Sequence, residues 1–212
     1  MALSKNQLAW LIVAIVVIDA ITVPPILYFA LRSKPGQGEA GISSAQTDAL
    51  PKLYPVPDFT FTAQDGQPFG LKQLAGKVWV VDVFFTSCAG PCPVMSNNLS
   101  ELAGMFEPAS GARFVSISVD PDTDTPAKLT EYGKHYKQDP AEWTFLNAPI
   151  DKVQDLAKNG FKLGAGDSPL IHSEHFVLVD KKGYIRGYFT GTEPGEVMKL
   201  KAAMDQLLKE PA

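Results

Sequence analysis

The longest apolar run in the chain is residues 8–31, where only Asp19, Thr22, Pro24 and Pro25 interrupt aliphatic and aromatic side chains. At about 1.5 Å per residue it makes a helix of roughly 36 Å, enough to cross a hydrocarbon core of about 30 Å. Asp19 costs about 2.5–3.5 kcal/mol near a bilayer centre, which the surrounding leucine, isoleucine and valine side chains offset. The expectation is a short N-terminal segment, residues 1–7, followed by an uncleaved transmembrane anchor, residues 8–31. A cleaved signal peptide is the competing reading; its apolar core is normally shorter, and no clean small-x-small site follows directly. Residues 32–54 are rich in Gly, Ser, Ala, Gln and Pro without apolar periodicity and read as a flexible tether with a reach of about 25 Å.

From residue 55 to 212 the pattern changes to that of a folded domain. Residues 58–62 alternate polar and apolar ahead of an Asp65-Gly66 turn, and residues 78–85 form a nearly continuous β-branched and aromatic run that predicts a buried central strand. A helix is expected over 93–106, a strand over 113–119, and a helix to about 137 that opens on Thr125-Pro126, a capping residue followed by a first-turn proline. Then come a short strand over 143–146, a helix over 150–158, a hairpin of strands 175–179 and 184–189 across Lys181-Lys182-Gly183, and a terminal helix over 194–208. This alternation calls for an α/β sheet covered on both faces. With an N-terminal β-hairpin and a closing antiparallel hairpin followed by a helix, it is a thioredoxin-like order, preceded by one transmembrane helix.

Composition narrows the function. With 19 basic against 23 acidic side chains the net charge is −4, and no basic run is present, so nucleic acid is not an expected partner. The only two cysteines, Cys88 and Cys92, are separated by Ala89-Gly90-Pro91 and sit where the central strand turns into the first helix. In open sheets of this kind the site lies beyond the carboxyl ends of the strands. The amides and positive dipole end of a helix N-terminus stabilise a thiolate, which predicts a lowered pKa for at least Cys88. The pair can close a disulfide or, reduced, offer two soft donors to one ion. A purely structural staple is the alternative, but so short a loop removes little unfolded-chain entropy.

Of the three histidines, His135 reads as a solvated helix residue, whereas His172 precedes the hairpin in a loop expected to face the cysteines. Strand parity sends His175 to the other side. Cys88, Cys92 and His172 then make a soft, low-coordinate set suited to Cu(I) and, secondarily, Cu(II), because structural zinc normally takes a fourth protein ligand. Met95, Met105, Met198 and Met204 read as core filling.

The segments PDFTFTAQDGQPF, VDVFFTSCAGPCPVM, SVDPDTDTPAKLTEYGKHY and HSEHFVLVDKKG, in this order, resemble the Sco/SenC family of membrane-tethered copper proteins over residues 54–208. The resemblance implies that Cys88, Cys92 and His172 bind copper. It also implies delivery of copper to, or reduction of the cysteines in, the binuclear copper site of cytochrome c oxidase, with that subunit or another copper acceptor as partner. Asp120, Asp124 and Pro126 match the family's SVDPxxDTP segment, for which helix capping is a sufficient role. Two departures stand out: Gly90, where the family usually has an aspartate, and Ile171, where an acidic residue usually precedes the histidine. The family and the paired cysteines together imply a single-pass membrane protein with an extracytoplasmic domain.

Other classes remain open at this point. Gly-Pro before the second cysteine suits a thiol-disulfide oxidoreductase of thioredoxin type, although Ser87 replaces the usual tryptophan and the spacing is one residue longer. A peroxidase of peroxiredoxin type would place a threonine where this chain has Phe85. A noncatalytic binding module is the remaining reading.

Overall fold

The computed structural model describes residues 49–136, 139, 141–163 and 173–211. The expected anchor and residues 32–48 of the expected tether lie outside the described residues. Among those described, no helix is long and apolar enough to cross a membrane.

One seven-stranded sheet organises the domain. Its strands are β1 (Thr60–Ala63), β2 (Pro68–Gly70), β3 (Val78–Phe84), β4 (Ala112–Ser118), β5 (Trp143–Asn147), β6 (His175–Val179) and β7 (Ile185–Thr190), in the spatial order β2-β1-β5-β4-β3-β6-β7. β3, β4 and β5 are parallel, and the outer pairings are antiparallel. Every residue of β3 is buried, as a run without polar alternation requires of a strand covered on both faces.

Alternate side chains of β3 feed two cores. Trp79, Val81 and Val83 pack with Leu74 of α1 (Leu71–Leu74) and with Val153 of α4 (Ile150–Asp155). Val78, Val80 and Phe84 pack on the other face under α2 (Pro91–Ala103), α3 (Pro126–His135) and α5 (Pro194–Lys209). The helices supply Leu99 and Leu102, Leu129, and Leu200, Met204 and Leu207 to this second core.

Several boundaries move for identifiable reasons. α2 begins at Pro91, two residues before the expected start, because proline at the first helical position gives up an amide that has no partner there. It ends at Ala103, leaving Met105 in the turn beyond; Met105 and Met198 are exposed, at 46% and 54%, which corrects their reading as core. The helix expected over 150–158 is α-helical only to Asp155 and widens into a π turn, Leu156–Gly160, closed by the Phe161 amide on the Leu156 carbonyl at 2.8 Å. That turn carries Leu156, Ala157 and Phe161 into the first core. The last hairpin turns at Gly183, whose φ of +78° favours glycine.

The folded unit extends back to Ala49. Leu53 donates its amide to the Ile185 carbonyl, and the Arg186 guanidinium donates to the carbonyls of Leu50 and Pro51. The same guanidinium pairs with Asp180 at 2.9 Å and Glu210 at 3.0 Å, tying the start of the unit, the last hairpin and the C-terminal helix together. This cluster sits at the Val78 end of β3, because β6 runs antiparallel to it with Trp79 opposite Val179. Cys88 follows the other end.

Candidate metal and redox site

β3 ends at Phe84, and the chain turns tightly, with the Cys88 amide donating to the Phe85 carbonyl at 3.2 Å. It passes through exposed Ala89 and Gly90 and enters α2 at Pro91. Cys88 is therefore in the loop and half-buried, whereas Cys92 is in the first helical turn and 5% exposed. Both are free thiols. Cys92 and Met95 belong to the second core, and Gly191 packs so closely on Met95 and Phe176 that an added Cβ would come within 2.9 Å of each.

Their environments push the two thiols apart. Burial pushes Cys88 up, but a hydrogen bond with the Cys92 thiol and the amides of Cys92 and Gly90 outweigh it, so the Cys88 thiol is held below its ordinary value. Cys92 is pushed up to about 12, first by burial and then by its hydrogen bond with Cys88; the Phe85 amide opposes this, and charge on Cys88 and Asp82 adds to it. The expected low-pKa Cys88 is thus present, with the second thiol and the helix-end amides as its cause. Chemically this is an accessible nucleophile with a protonated, buried neighbour.

Asp82 lies on the β3 face that packs under α2 and is 2% exposed. Ser116 Oγ donates to Asp82 Oδ1 at 2.5 Å, and the Trp143 indole donates to Ser116 Oγ at 2.9 Å. Burial raises its carboxyl to about 7, against the lowering effect of Ser116. Nothing in the alternation of the run singled it out.

Of the sequence-predicted site residues, Cys88 and Cys92 are brought together; His172 lies outside the described residues. The described chain resumes at Ser173, and β6 begins at His175. There the Glu174 carbonyl accepts from the Gly191 amide, and the Gly191 carbonyl accepts from Asn98 of α2. His175 is exposed at the strand start, and His135 is exposed at the end of α3. Among the described residues no cluster of three or more His, Cys, Asp or Glu could hold a metal ion. Cavities of about 340, 560 and 510 Å³ are lined by neither cysteine.

A parallel β3-β4-β5 core flanked by antiparallel strands, with a free cysteine pair at the carboxyl end of its central strand, defines a thioredoxin-like dithiol protein. The SCO1/SenC family model matches residues 48–207, and the chain belongs to that family. It is 32% identical to the SCO1 protein homolog of Bacillus subtilis (strain 168) over 149 residues, covering 68% of this chain and 77% of the relative. The crystal structure of a SCO1/SenC family lipoprotein from Bacillus anthracis str. Ames has a TM-score of 0.67 at 32% identity, covering 74% of this chain and 96% of that one. BsSco, described as having a disulfide switch and as a member of the Sco family of cytochrome c oxidase assembly proteins, has a TM-score of 0.67 at 28% identity, over 76% and 98% of the two chains. Sco proteins have been solved with copper bound, among them Bradyrhizobium japonicum ScoI, which shares the fold at 23% identity and a TM-score of 0.57 over 71% and 99% of the two chains.

Proposed function

We propose that this chain is a copper-binding metallochaperone. It delivers copper to, or keeps reduced the cysteines of, the binuclear copper site of cytochrome c oxidase. The observation that carries this reading is the pair itself: two free, hydrogen-bonded thiols, one accessible and one buried, at the carboxyl end of the central strand. Two thiolates and the His172 imidazole give a soft donor set suited to Cu(I) as cargo. Support for His172 as third donor comes from β6, which begins three residues later and is tied through Gly191 to α2. Membership of a family that includes BsSco supports the oxidase as recipient.

The apolar run over residues 8–31 acts as a membrane anchor, with the domain on the extracytoplasmic side where a disulfide-forming pair persists. Membrane association is in keeping with a lipoprotein among the relatives. The test is copper titration of the reduced protein: one equivalent bound, with Cys88→Ala, Cys92→Ala and His172→Ala each weakening it by at least about tenfold, a cost of about 1.4 kcal/mol. Binding by His172→Ala as tight as the parent's refutes the ligand set.

Thiol-disulfide exchange is the second reading, favoured by the contrast between Cys88, held low, and Cys92, pushed up. Cys88 attacks and Cys92 resolves. A reduction potential as low as that of a structural disulfide, below about −300 mV, counts against it.

A further inference from the structure

The SVDPDTDTP segment contains a buried acid that helix capping does not employ. The cap of α3 is Thr125, whose Oγ1 accepts from the Lys128 amide at 3.4 Å. Asp124, one residue earlier and 0% exposed, directs its carboxylate to Thr86, in the turn that leads from β3 to Cys88. Its Oδ2 accepts from the Thr86 amide at 3.0 Å and from Ser118 Oγ at 2.7 Å, and its Oδ1 accepts from Thr86 Oγ1 at 2.5 Å. Lys128 Nζ, 3.9 Å from Oδ1, is the charged group beside it.

The backbone of the same segment is fastened to the next strand. Asn147 at the end of β5 donates to the carbonyls of Asp124 at 2.7 Å and Pro121 at 2.9 Å. Ser118 Oγ also accepts from the Asp120 amide at 3.0 Å, and the Val119 amide donates to the Phe84 carbonyl at 2.9 Å. One carboxylate therefore joins the segments that leave β3 and β4, and its own segment is joined to β5.

Thr86 lies inside the turn closed by the Cys88 amide on the Phe85 carbonyl, and the neighbouring Phe85 amide is the one that bonds the Cys92 thiol. Holding Thr86 at both its amide and its hydroxyl fixes the turn that carries Cys88 and that presents the Phe85 amide to Cys92. We propose that Asp124 is a positioning residue for the cysteine loop, acting through Thr86 to keep the two sulfurs side by side. This rests on the reading that Cys88 and Cys92 are the working pair, but not on copper. A buried carboxylate with three donors has little freedom, so the loop's geometry is set before any partner arrives. Without that hold, the loop samples more conformers and closing the pair costs more entropy.

The experiment equilibrates the full chain with glutathione. In that exchange the two protein thiols and one glutathione disulfide give the protein disulfide and two glutathione thiols. One S–S bond breaks, one forms, and the two thiol protons pass to glutathione. Thr86→Val removes the hydroxyl at nearly constant volume and should lower the equilibrium constant for protein disulfide by about fivefold or more. Thr86→Ser restores the hydroxyl and should return it to within about twofold of the parent; Asp124→Asn should behave like Thr86→Val or worse. Arg186→Lys, at the opposite end of the sheet, destabilises the domain without touching the loop and should leave the constant unchanged.

The proposal is overturned if Thr86→Val stays within about twofold of the parent, if Thr86→Ser fails to restore the constant, or if Arg186→Lys shifts it as far. If Asp124→Asn does not fold, the two Thr86 variants and the Arg186 control decide the matter. No metal enters the measurement, so failure of the copper reading leaves its outcome intact.

Discussion

Asp82 makes the stability of this domain fall as the pH rises through the mildly acidic range. The side chain is 2% exposed, and burial lifts its carboxyl from an ordinary 3.8 to about 7, with Ser116 Oγ providing only partial compensation. Between about pH 4 and about pH 7 the folded chain holds a proton that the unfolded chain has released. The stabilisation from this group is fully present below the unfolded pKa and is lost as pH rises to the folded one. A shift of about three units at about 1.4 kcal/mol each gives a loss of about 4 kcal/mol across that window. Asp82→Asn keeps an oxygen that can accept from Ser116 and has nothing to ionise. The assay is equilibrium urea denaturation of parent and variant, both kept reduced, at about pH 4, 5.5, 7 and 8. Subtracting the two curves cancels groups the substitution does not disturb. Asp82→Asn should gain about 4 kcal/mol on the parent between the lowest and highest pH. Parallel curves, within about 0.5 kcal/mol at every pH, refute the inference that the buried acid is neutral in the folded state.

Reduced protein treated with iodoacetamide near neutral pH should carry the label on Cys88 at least about tenfold faster than on Cys92; equal labelling by peptide mass spectrometry contradicts the assigned environments. Gly90→Asp has room for its side chain, because an added Cβ meets only the Cys88 sulfur, at 3.9 Å. The new carboxylate beside that sulfur disfavours the thiolate and should slow labelling of Cys88 about threefold to tenfold near neutral pH, while an unchanged rate shows that the position does not sense the sulfur. Arg186→Met strands Asp180, which is 5% exposed, and should cost about 3–5 kcal/mol in urea denaturation; a loss under about 1 kcal/mol means the cluster is not energetically coupled.

What could be read from residue order was whatever depends on near neighbours. The run from Val78 to Phe85 identified a strand covered on both faces because no polar alternation interrupts it apart from Asp82, and Asp82 is the residue whose burial then carries a chemical consequence. Thr125-Pro126 opened a helix, and Gly183 closed the last hairpin, because each fixes backbone within a few residues. Cys88 and Cys92 were legible as a pair through their spacing and their place after a strand. Leu71–Leu74 went unseen because four residues carry no helical period.

Contacts between distant residues were equally invisible. Arg186 reaches the carbonyl of Leu50, 136 positions away, so the docking of residues 49–54 has no local signature. Asp124 is fastened to Thr86 across 38 positions, and in the sequence it is simply an acid before a cap. Met105 and Met198 looked like core because their helices are amphipathic, yet one lies beyond the end of α2 and the other faces outward from α5.

The most direct measurement is X-ray absorption at the copper edge of the reduced, copper-loaded protein, compared with His172→Ala. The parent should show a shell of two sulfurs and one imidazole nitrogen, with the imidazole contribution lost in the variant. A shell with one sulfur or none, or an imidazole that survives removal of His172, contradicts the claim that Cys88, Cys92 and His172 hold the metal.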